Sequence, residues 1–79
     1  LPNTVVNHDC DIGDYCKLNT MCNLAGSVKI DKSCYIGSGT NIRENLKIGK
    51  NNLIGMSSVI LKSFVKKNQL IYGSPAKKH

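Results

Sequence analysis

An aliphatic residue recurs at every sixth position along most of the chain. Ten successive positions carry Val, Ile or Leu without an insertion, and they are Val6, Ile12, Leu18, Leu24, Ile30, Ile36, Ile42, Ile48, Ile54 and Ile60. A helix rotates its face by about 240° over six residues, so these side chains would not share one helical stripe. Strand side chains alternate with a period of two, so residues six apart point to the same side. The pattern therefore predicts strands.

The positions on either side of each aliphatic residue repeat as well. Two residues before it lies a mostly small set: Thr4, Cys10, Cys16, Cys22, Val28, Cys34, Thr40, Leu46, Asn52 and Ser58. The residue directly after it is Gly, Asn or Asp at seven of the ten positions. These three types tolerate turns and left-handed backbone conformations. We therefore expect each hexad to form a short strand followed by a corner.

Three strands and three corners make one triangular coil of eighteen residues, and stacked coils bury a continuous core. Hexads of this kind predict an all-β chain, a left-handed parallel β-helix of about three and a half coils. We assign residues 1–63 to this helix and residues 64–79, where the pattern fades, to a C-terminal tail that packs on the last coil. The alternatives are a right-handed solenoid and a small β-sandwich, although sandwiches show turn signals about every 8–12 residues.

All four cysteines occupy the small position two residues before an aliphatic, which predicts buried thiols. Their spacings of six, six and twelve residues do not match those of zinc sites, and the sequence holds only two histidines. We therefore expect no metal. Cys16 and Cys34 are one coil apart, about 5 Å, so a disulfide between them stays open. Reduced thiols in a cytoplasmic protein are the preferred interpretation.

The net charge of +6 is distributed unevenly along the chain. Residues 1–31 hold two Lys and four Asp, or −2, whereas residues 32–79 hold nine Lys or Arg and one Glu, or +8. An eighteen-residue coil places Lys29 on Lys47, and such like charges are either solvated or beside a phosphate-rich ligand. No recognition element or stacking aromatic indicates nucleic acid, and no apolar run is long enough to span a bilayer. We expect neither nucleic acid nor a membrane as partner.

The same eighteen-residue offset selects a candidate catalytic site. His8 points outward, and the residue one coil on is Gly26, which leaves exposed backbone beside an imidazole at about 4.8 Å. A histidine can take a proton from an attacking amine or hydroxyl, and a fixed amide can stabilise the oxyanion that forms. Asp9 would orient the imidazole and stabilise its cation. This arrangement favours acyl transfer, and the alternative is an ordinary solvated His–Asp pair.

Four segments carry a resemblance to a known family: V-N-H-D-C-D-I-G-D, L-A-G-S-V-K-I, G-M-S-S-V-I and the terminal Y-G-S-P-A-K. Together with the hexads, these segments make the chain resemble the hexapeptide-repeat acyltransferases over residues 5–77. Among them it is similar to the amino-sugar and sialic acid acetyltransferases of bacterial surface-glycan synthesis. The resemblance implies a homotrimer, with acetyl-CoA bound in grooves between subunits and acetyl transferred to an amine or hydroxyl of a nucleotide-sugar.

The resemblance also implies roles for individual residues. His8 matches the catalytic base, Asp9 its acidic neighbour, and Gly26 the glycine whose amide contacts the thioester carbonyl. The implied coenzyme-binding residues are Lys17, where relatives often carry a His, Ser38, Gly55 and Met56, which is bulkier than the usual residue, and Lys77, which would meet the coenzyme's phosphates.

The resemblance leaves the acceptor half of the reaction without a counterpart in this chain. These relatives carry an N-terminal α/β domain that binds the nucleotide-sugar, and we expect this chain to hold only the acetyl-CoA half of the site. One alternative is an acetyltransferase for another small acceptor, and the other is a non-catalytic β-solenoid. An ice-binding solenoid is disfavoured because the chain has only Thr4, Thr20 and Thr40 and no threonine ladder.

Overall fold

The computed structural model describes residues 4–79, which form twelve short β-strands joined by tight corners. The first ten strands have two residues each and contain the predicted aliphatic positions. Their bounds are β1 Val5–Val6, β2 Asp11–Ile12, β3 Lys17–Leu18, β4 Asn23–Leu24, β5 Lys29–Ile30, β6 Tyr35–Ile36, β7 Asn41–Ile42, β8 Lys47–Ile48, β9 Leu53–Ile54 and β10 Val59–Ile60, followed by β11 Leu70–Gly73 and β12 Ala76–Lys78.

The strands pair into three sheets that form the three sides of a solenoid. The first sheet has the order β1-β4-β7-β10, the second β2-β5-β8, and the third β3-β6-β9-β11-β12. Each strand from β1 to β7 pairs in parallel with the strand eighteen residues later, as in Val6 with Leu24 and Ile12 with Ile30. Lys29 pairs with Lys47 as the coil arithmetic predicted. The predicted all-β solenoid is confirmed, and it has about four coils.

The fourth coil is completed by residues outside the regular hexads. Phe64 forms a single parallel bridge to Ile48 in the second sheet, and β11 pairs in parallel with β9 in the third sheet. Strand β12 then turns back antiparallel along β11, with Gly73 opposite Ala76. Ile71 is fully buried, so this segment extends the core of the solenoid by one more layer.

The aliphatic column forms the core, and burial along it depends on the coil. Residues Leu24, Ile30, Ile36, Ile42, Ile48, Ile54 and Ile60 are at most 2% exposed. Val6 in the first coil is 45% exposed because only the second coil packs against it. Burying such a side chain contributes about 1.5–3 kcal/mol, so the inner coils supply most of the hydrophobic stabilisation.

At most of the small inward positions the side chain donates to a carbonyl of the next coil. Cys22 Sγ donates to the Gly37 carbonyl at 3.1 Å, and Cys34 Sγ to that of Gly49 at 3.0 Å. Thr40 Oγ1 makes the same bond at 3.1 Å. A buried polar group must be hydrogen-bonded, so a short donor suits this position. The four cysteines are free thiols, and burial raises the pKa of both Cys22 and Cys34.

The corners differ from the prediction in which residue adopts the left-handed conformation. That residue is the third after the aliphatic, and the set is Asp9, Tyr15, Met21, Ser27, Ser33, Gly39, Asn45, Asn51 and Ser57. The residue directly after the aliphatic, which is often Gly, Asn or Asp, does not adopt it, whereas the predicted succession of short strand and corner is confirmed. Glycine often occurs directly after the aliphatic because the next coil leaves no space for a Cβ at that position. A Cβ on Gly37 would lie 2.5 Å from the Met56 amide nitrogen, and a Cβ on Gly13 would lie 2.6 Å from the Lys32 amide nitrogen.

Candidate functional site

His8 and Asp9 form the corner between β1 and β2. The left-handed backbone of Asp9, with φ of 60°, turns its carboxylate back toward the preceding residue. His8 Nδ1 lies 3.1 Å from Asp9 Oδ2, and both side chains are strongly exposed, at 83% and 78%. Because a carboxylate is an acceptor, this bond assigns the proton to Nδ1. The lone pair of Nε2 is then free to accept a proton.

Gly26 lies directly beside the imidazole, at the corresponding corner of the next coil. A Cβ on Gly26 would be 3.3 Å from His8 Cε1 and 3.5 Å from Nε2, so no larger residue leaves this gap open. The Ser27 N–H donates to the His8 carbonyl at 3.1 Å and fixes the two corners to each other. Within residues 4–79, no oxygen accepts a hydrogen bond from the Gly26 N–H. The predicted proximity of His8 and Gly26 is therefore present.

Ser38, Gly55 and Met56 come together at a different corner, where the third sheet leads into the first. The Ser57 N–H donates to the Ser38 carbonyl at 2.8 Å, and the Met56 side chain is 73% exposed. The Gly55 carbonyl accepts hydrogen bonds from the Thr40 and Ser58 hydroxyls. Strands of the first sheet separate this corner from His8. Within one chain the two groups of predicted residues therefore lie on different edges of the solenoid.

Lys17 and Lys77 lie apart from both corners. Lys17 extends from the outer face of the third sheet, with its Nζ 5.9 Å from the centroid of the Tyr35 ring. Lys77 is an exposed residue of β12 at the end of the solenoid, paired with Tyr72, whose ring stacks on His79 at 3.7 Å. One chain therefore does not enclose the full set of predicted coenzyme-binding residues.

Two surface depressions are lined mostly by residues that the sequence analysis did not assign to a site, Lys77 being the exception. One, of about 330 Å³, lies outside the second sheet and includes Asp11, Lys29, Asp31 and Lys47. The other, of about 470 Å³, lies at the C-terminal end and is lined by Lys62, Ser63, Phe64, Val65, Lys66, Gln69, Lys77 and Lys78. Neither is lined by His8 or Gly26. The eighteen-residue offset indicated the first of them, whereas the second depends on how β12 folds back.

Among residues 4–79, no three His, Cys, Asp or Glu side chains are grouped so that they would hold a metal ion. The same part of the chain contains no helix with the length and apolar character needed to cross a membrane.

No family model matches this sequence. Among solved structures, a mutant of perosamine N-acetyltransferase from Caulobacter crescentus, in complex with CoA and GDP-perosamine, superposes with a TM-score of 0.86 at 28% identity. The match covers 90% of this chain and 33% of that one. The chain has the fold of the hexapeptide-repeat acyltransferases. The predicted left-handed parallel β-helix and the family resemblance are thereby confirmed.

Two further acyltransferase structures share this fold. UDP-N-acetylglucosamine acyltransferase from Campylobacter jejuni matches with a TM-score of 0.90 at 24% identity, over 99% of this chain and 33% of that one. A maltose O-acetyltransferase from Clostridium difficile 630 matches with a TM-score of 0.62 at 19% identity, over 100% of this chain and 65% of that one. The chain thus spans about a third of the length of the first two structures.

Proposed function

We propose that this chain is the acetyl-CoA-binding, catalytic part of an acetyltransferase that acts on a sugar amine or hydroxyl. The observation that carries the proposal is His8 Nε2 facing Gly26 while Nδ1 is held by Asp9. The perosamine N-acetyltransferase structure, which holds CoA and GDP-perosamine, supports a coenzyme A thioester as donor and a nucleotide-sugar as acceptor.

In this proposal His8 acts as a general base. Its Nε2 takes the proton that the acceptor amine or hydroxyl loses as it attacks the thioester carbonyl. The Gly26 N–H donates to the oxyanion of the tetrahedral intermediate. When that intermediate collapses, the carbon–sulfur bond breaks and the coenzyme thiolate takes the proton from the His8 imidazolium. Asp9 stabilises that cation throughout, since an adjacent carboxylate favours the charged imidazole.

A homotrimer would bring the separated residues together. The outer face of the third sheet carries an apolar row, Tyr35, Leu53 and Leu70, whose members are 42%, 46% and 43% exposed and lie in register on neighbouring strands. We propose that this row packs against a second copy. Acetyl-CoA would then lie between copies, with Lys17, Ser38, Gly55 and Met56 along it and Lys77 at its phosphates.

The remaining parts of the proposal concern the biological setting. We propose a cytoplasmic bacterial enzyme of surface-glycan synthesis, because free buried thiols persist in reducing compartments and because the acceptor named with the perosamine enzyme is a nucleotide-sugar. The acceptor-binding part would be supplied outside these 79 residues.

A coenzyme-binding and thiol-release experiment tests the function. The intact protein is first titrated with coenzyme A by calorimetry and is then assayed with acetyl-CoA and three acceptors: a nucleotide-linked amino sugar, a simple sugar and an amino acid. We expect coenzyme binding, and thiol release only with the nucleotide-sugar. Thiol release with the simple sugar or the amino acid, and not with the nucleotide-sugar, would show that the acceptor belongs to that other class. No coenzyme binding at millimolar concentration would instead favour a non-catalytic solenoid.

A further inference from the structure

The charge of the molecule is polarised along the axis of the solenoid. Because coils stack in sequence order, the acidic Asp9, Asp11 and Asp14 all lie in the first coil. Residues 45–79 hold seven Lys and no acidic residue. The molecule measures 28 × 22 × 21 Å, whereas the Debye length at physiological ionic strength is about 8 Å. The two ends therefore interact with charged partners independently of each other.

Five lysines are concentrated on the last coil and on the strand that closes it. This surface, called here the lysine end, consists of Lys62, Lys66, Lys67, Lys77 and Lys78, all of them exposed. Four of the five line the depression of about 470 Å³, together with Phe64 and Val65. The side chains of Val65 and Leu61 are 67% and 45% exposed, so apolar groups adjoin the charges.

We propose that the lysine end docks on a bilayer that contains anionic phospholipids. Lysine carries a compact charge on a flexible side chain, whereas arginine binds phosphates through a planar, bidentate fork. A cluster of lysines therefore suits mobile lipid headgroups. A cluster of four to eight basic residues is the usual size of such an electrostatic anchor. The exposed Val65 and Leu61 side chains would add apolar contact at the interface.

The described surface fits a bilayer better than a nucleic acid. The exposed aromatic residue near the lysine end is Tyr72, and its ring is already stacked on His79, so it offers no platform for a base. The strands of the solenoid present no isolated helix or ribbon to a groove. The expectation of no membrane partner rested on the lack of a spanning segment. It did not consider where the stacked coils place the lysines.

Docking by the lysine end would set the orientation of the molecule. The acidic first coil would point away from an anionic surface, and His8 lies in that coil. The candidate catalytic corner would therefore stay open to the aqueous phase. This inference shares only Lys77 with the proposed coenzyme site, and the other four lysines carry it independently of the acetyltransferase activity.

Co-sedimentation with lipid vesicles tests the inference. The intact protein is mixed with phosphatidylcholine vesicles, with and without phosphatidylglycerol. We expect binding only to the anionic vesicles and its loss when ionic strength rises from about 0.1 to about 1 M, which shortens the Debye length from about 10 to about 3 Å. The double variant Lys66→Gln/Lys67→Gln should bind the anionic vesicles about thirtyfold more weakly, since each lysine near the surface contributes about 1 kcal/mol.

The matched control is the pair Lys29→Gln and Lys32→Gln, which removes the same charge from the second coil. Equal losses in both double variants, or equal binding to neutral vesicles, would overturn the inference. Release of the protein from anionic vesicles by saturating coenzyme A would reassign these lysines to the coenzyme. Tighter binding to a duplex oligonucleotide than to anionic vesicles, lost in the same variant, would reassign them to nucleic acid.

Discussion

The His8 imidazole lies over Gly26, one coil further along the chain, with Nε2 3.5 Å from the position that a Cβ on Gly26 would occupy. The two residues are eighteen apart in sequence, and their corners are joined by the hydrogen bond from the Ser27 N–H to the His8 carbonyl. An imidazole and a glycine are thereby held beside the same small gap, which suits the base and the oxyanion donor of the proposed function. Fixed placement of this kind is what acyl transfer requires of its base and its oxyanion donor.

Filling this gap should impair catalysis more than folding. In Gly26→Ala the new Cβ would contact His8 Cε1 at 3.3 Å, so the imidazole would have to shift by a few tenths of an ångström. We expect kcat to fall at least about tenfold, since small misplacements of catalytic groups are costly, with little change in melting temperature. The control is Asp14→Ala, at the equivalent corner of the next side. An undiminished kcat in Gly26→Ala would show that the gap is not part of the site.

Gly37 should behave in the opposite way. A Cβ on Gly37 would lie 2.5 Å from the Met56 amide nitrogen, which is backbone and cannot move without shifting the next coil. We expect Gly37→Ala to lower the free energy of unfolding by about 1–3 kcal/mol, the usual range for overpacking. Urea denaturation measures the change, with Gly26→Ala as the comparison. Equal stability of the two variants would refute the steric explanation for glycine at this corner.

The fold followed from the sequence because a six-residue period is incompatible with a helical face and because no insertion disturbs it. The column from Leu24 to Ile60 is buried as the pattern requires. The corner conformation did not follow, since Gly, Asn and Asp were interpreted by their backbone tolerance alone. In the structure Gly37 is required because the next coil leaves no space for a Cβ. The left-handed positions instead hold residues such as Tyr15 and Met21.

The candidate site was predictable only where one offset defines it. His8 and Gly26 are related by a single coil, so their proximity follows from parallel pairing. The separation of Lys17 and Met56 from that pair also follows from the three-sided coil, but their roles were assigned from the resemblance and not from their positions on it. The depression beside Phe64 was not visible, because it forms only when β12 returns along β11.

Cys34 should make stability depend on alkaline pH. Burial raises the pKa of this thiol above its ordinary value of 9.0, and the neighbouring Cys16 raises it further. The unfolded thiol therefore loses its proton first, so the folded state binds more protons in this range. Its contribution to stability is complete below about pH 9 and is lost as pH rises through the higher folded value.

Denaturation of Cys34→Thr across this range measures that contribution. Threonine keeps a donor for the Gly49 carbonyl, as Thr40 does for that of Gly55. We expect the decline in stability above pH 9 to be shallower in Cys34→Thr than in the parent. The same substitution at the half-buried Cys10 is the control. A slope identical to that of the parent would contradict the role assigned to Cys34.

The apolar row on the third sheet should hold the proposed trimer together. Leu53 is 46% exposed between Tyr35 and Leu70, so a lysine there would place a charge in the centre of the contact. We expect Leu53→Lys to sediment as a monomer at concentrations where the parent is a trimer. The control is Leu61→Lys, because Leu61 is similarly exposed, at 45%, but lies at a corner outside the apolar row. This variant should remain a trimer. A monomeric parent, or a trimeric Leu53→Lys variant, would remove this surface from the proposal.

The central claim is that His8 removes the acceptor's proton during acyl transfer. Its most direct test is the kcat of His8→Ala in the intact protein, measured with acetyl-CoA and the acceptor that gives thiol release, beside the Kd for coenzyme A. We predict a fall in kcat of about 10²–10⁴-fold, the usual contribution of a general base, with the Kd for coenzyme A unchanged. A kcat within a few fold of the parent enzyme would contradict the assignment of His8.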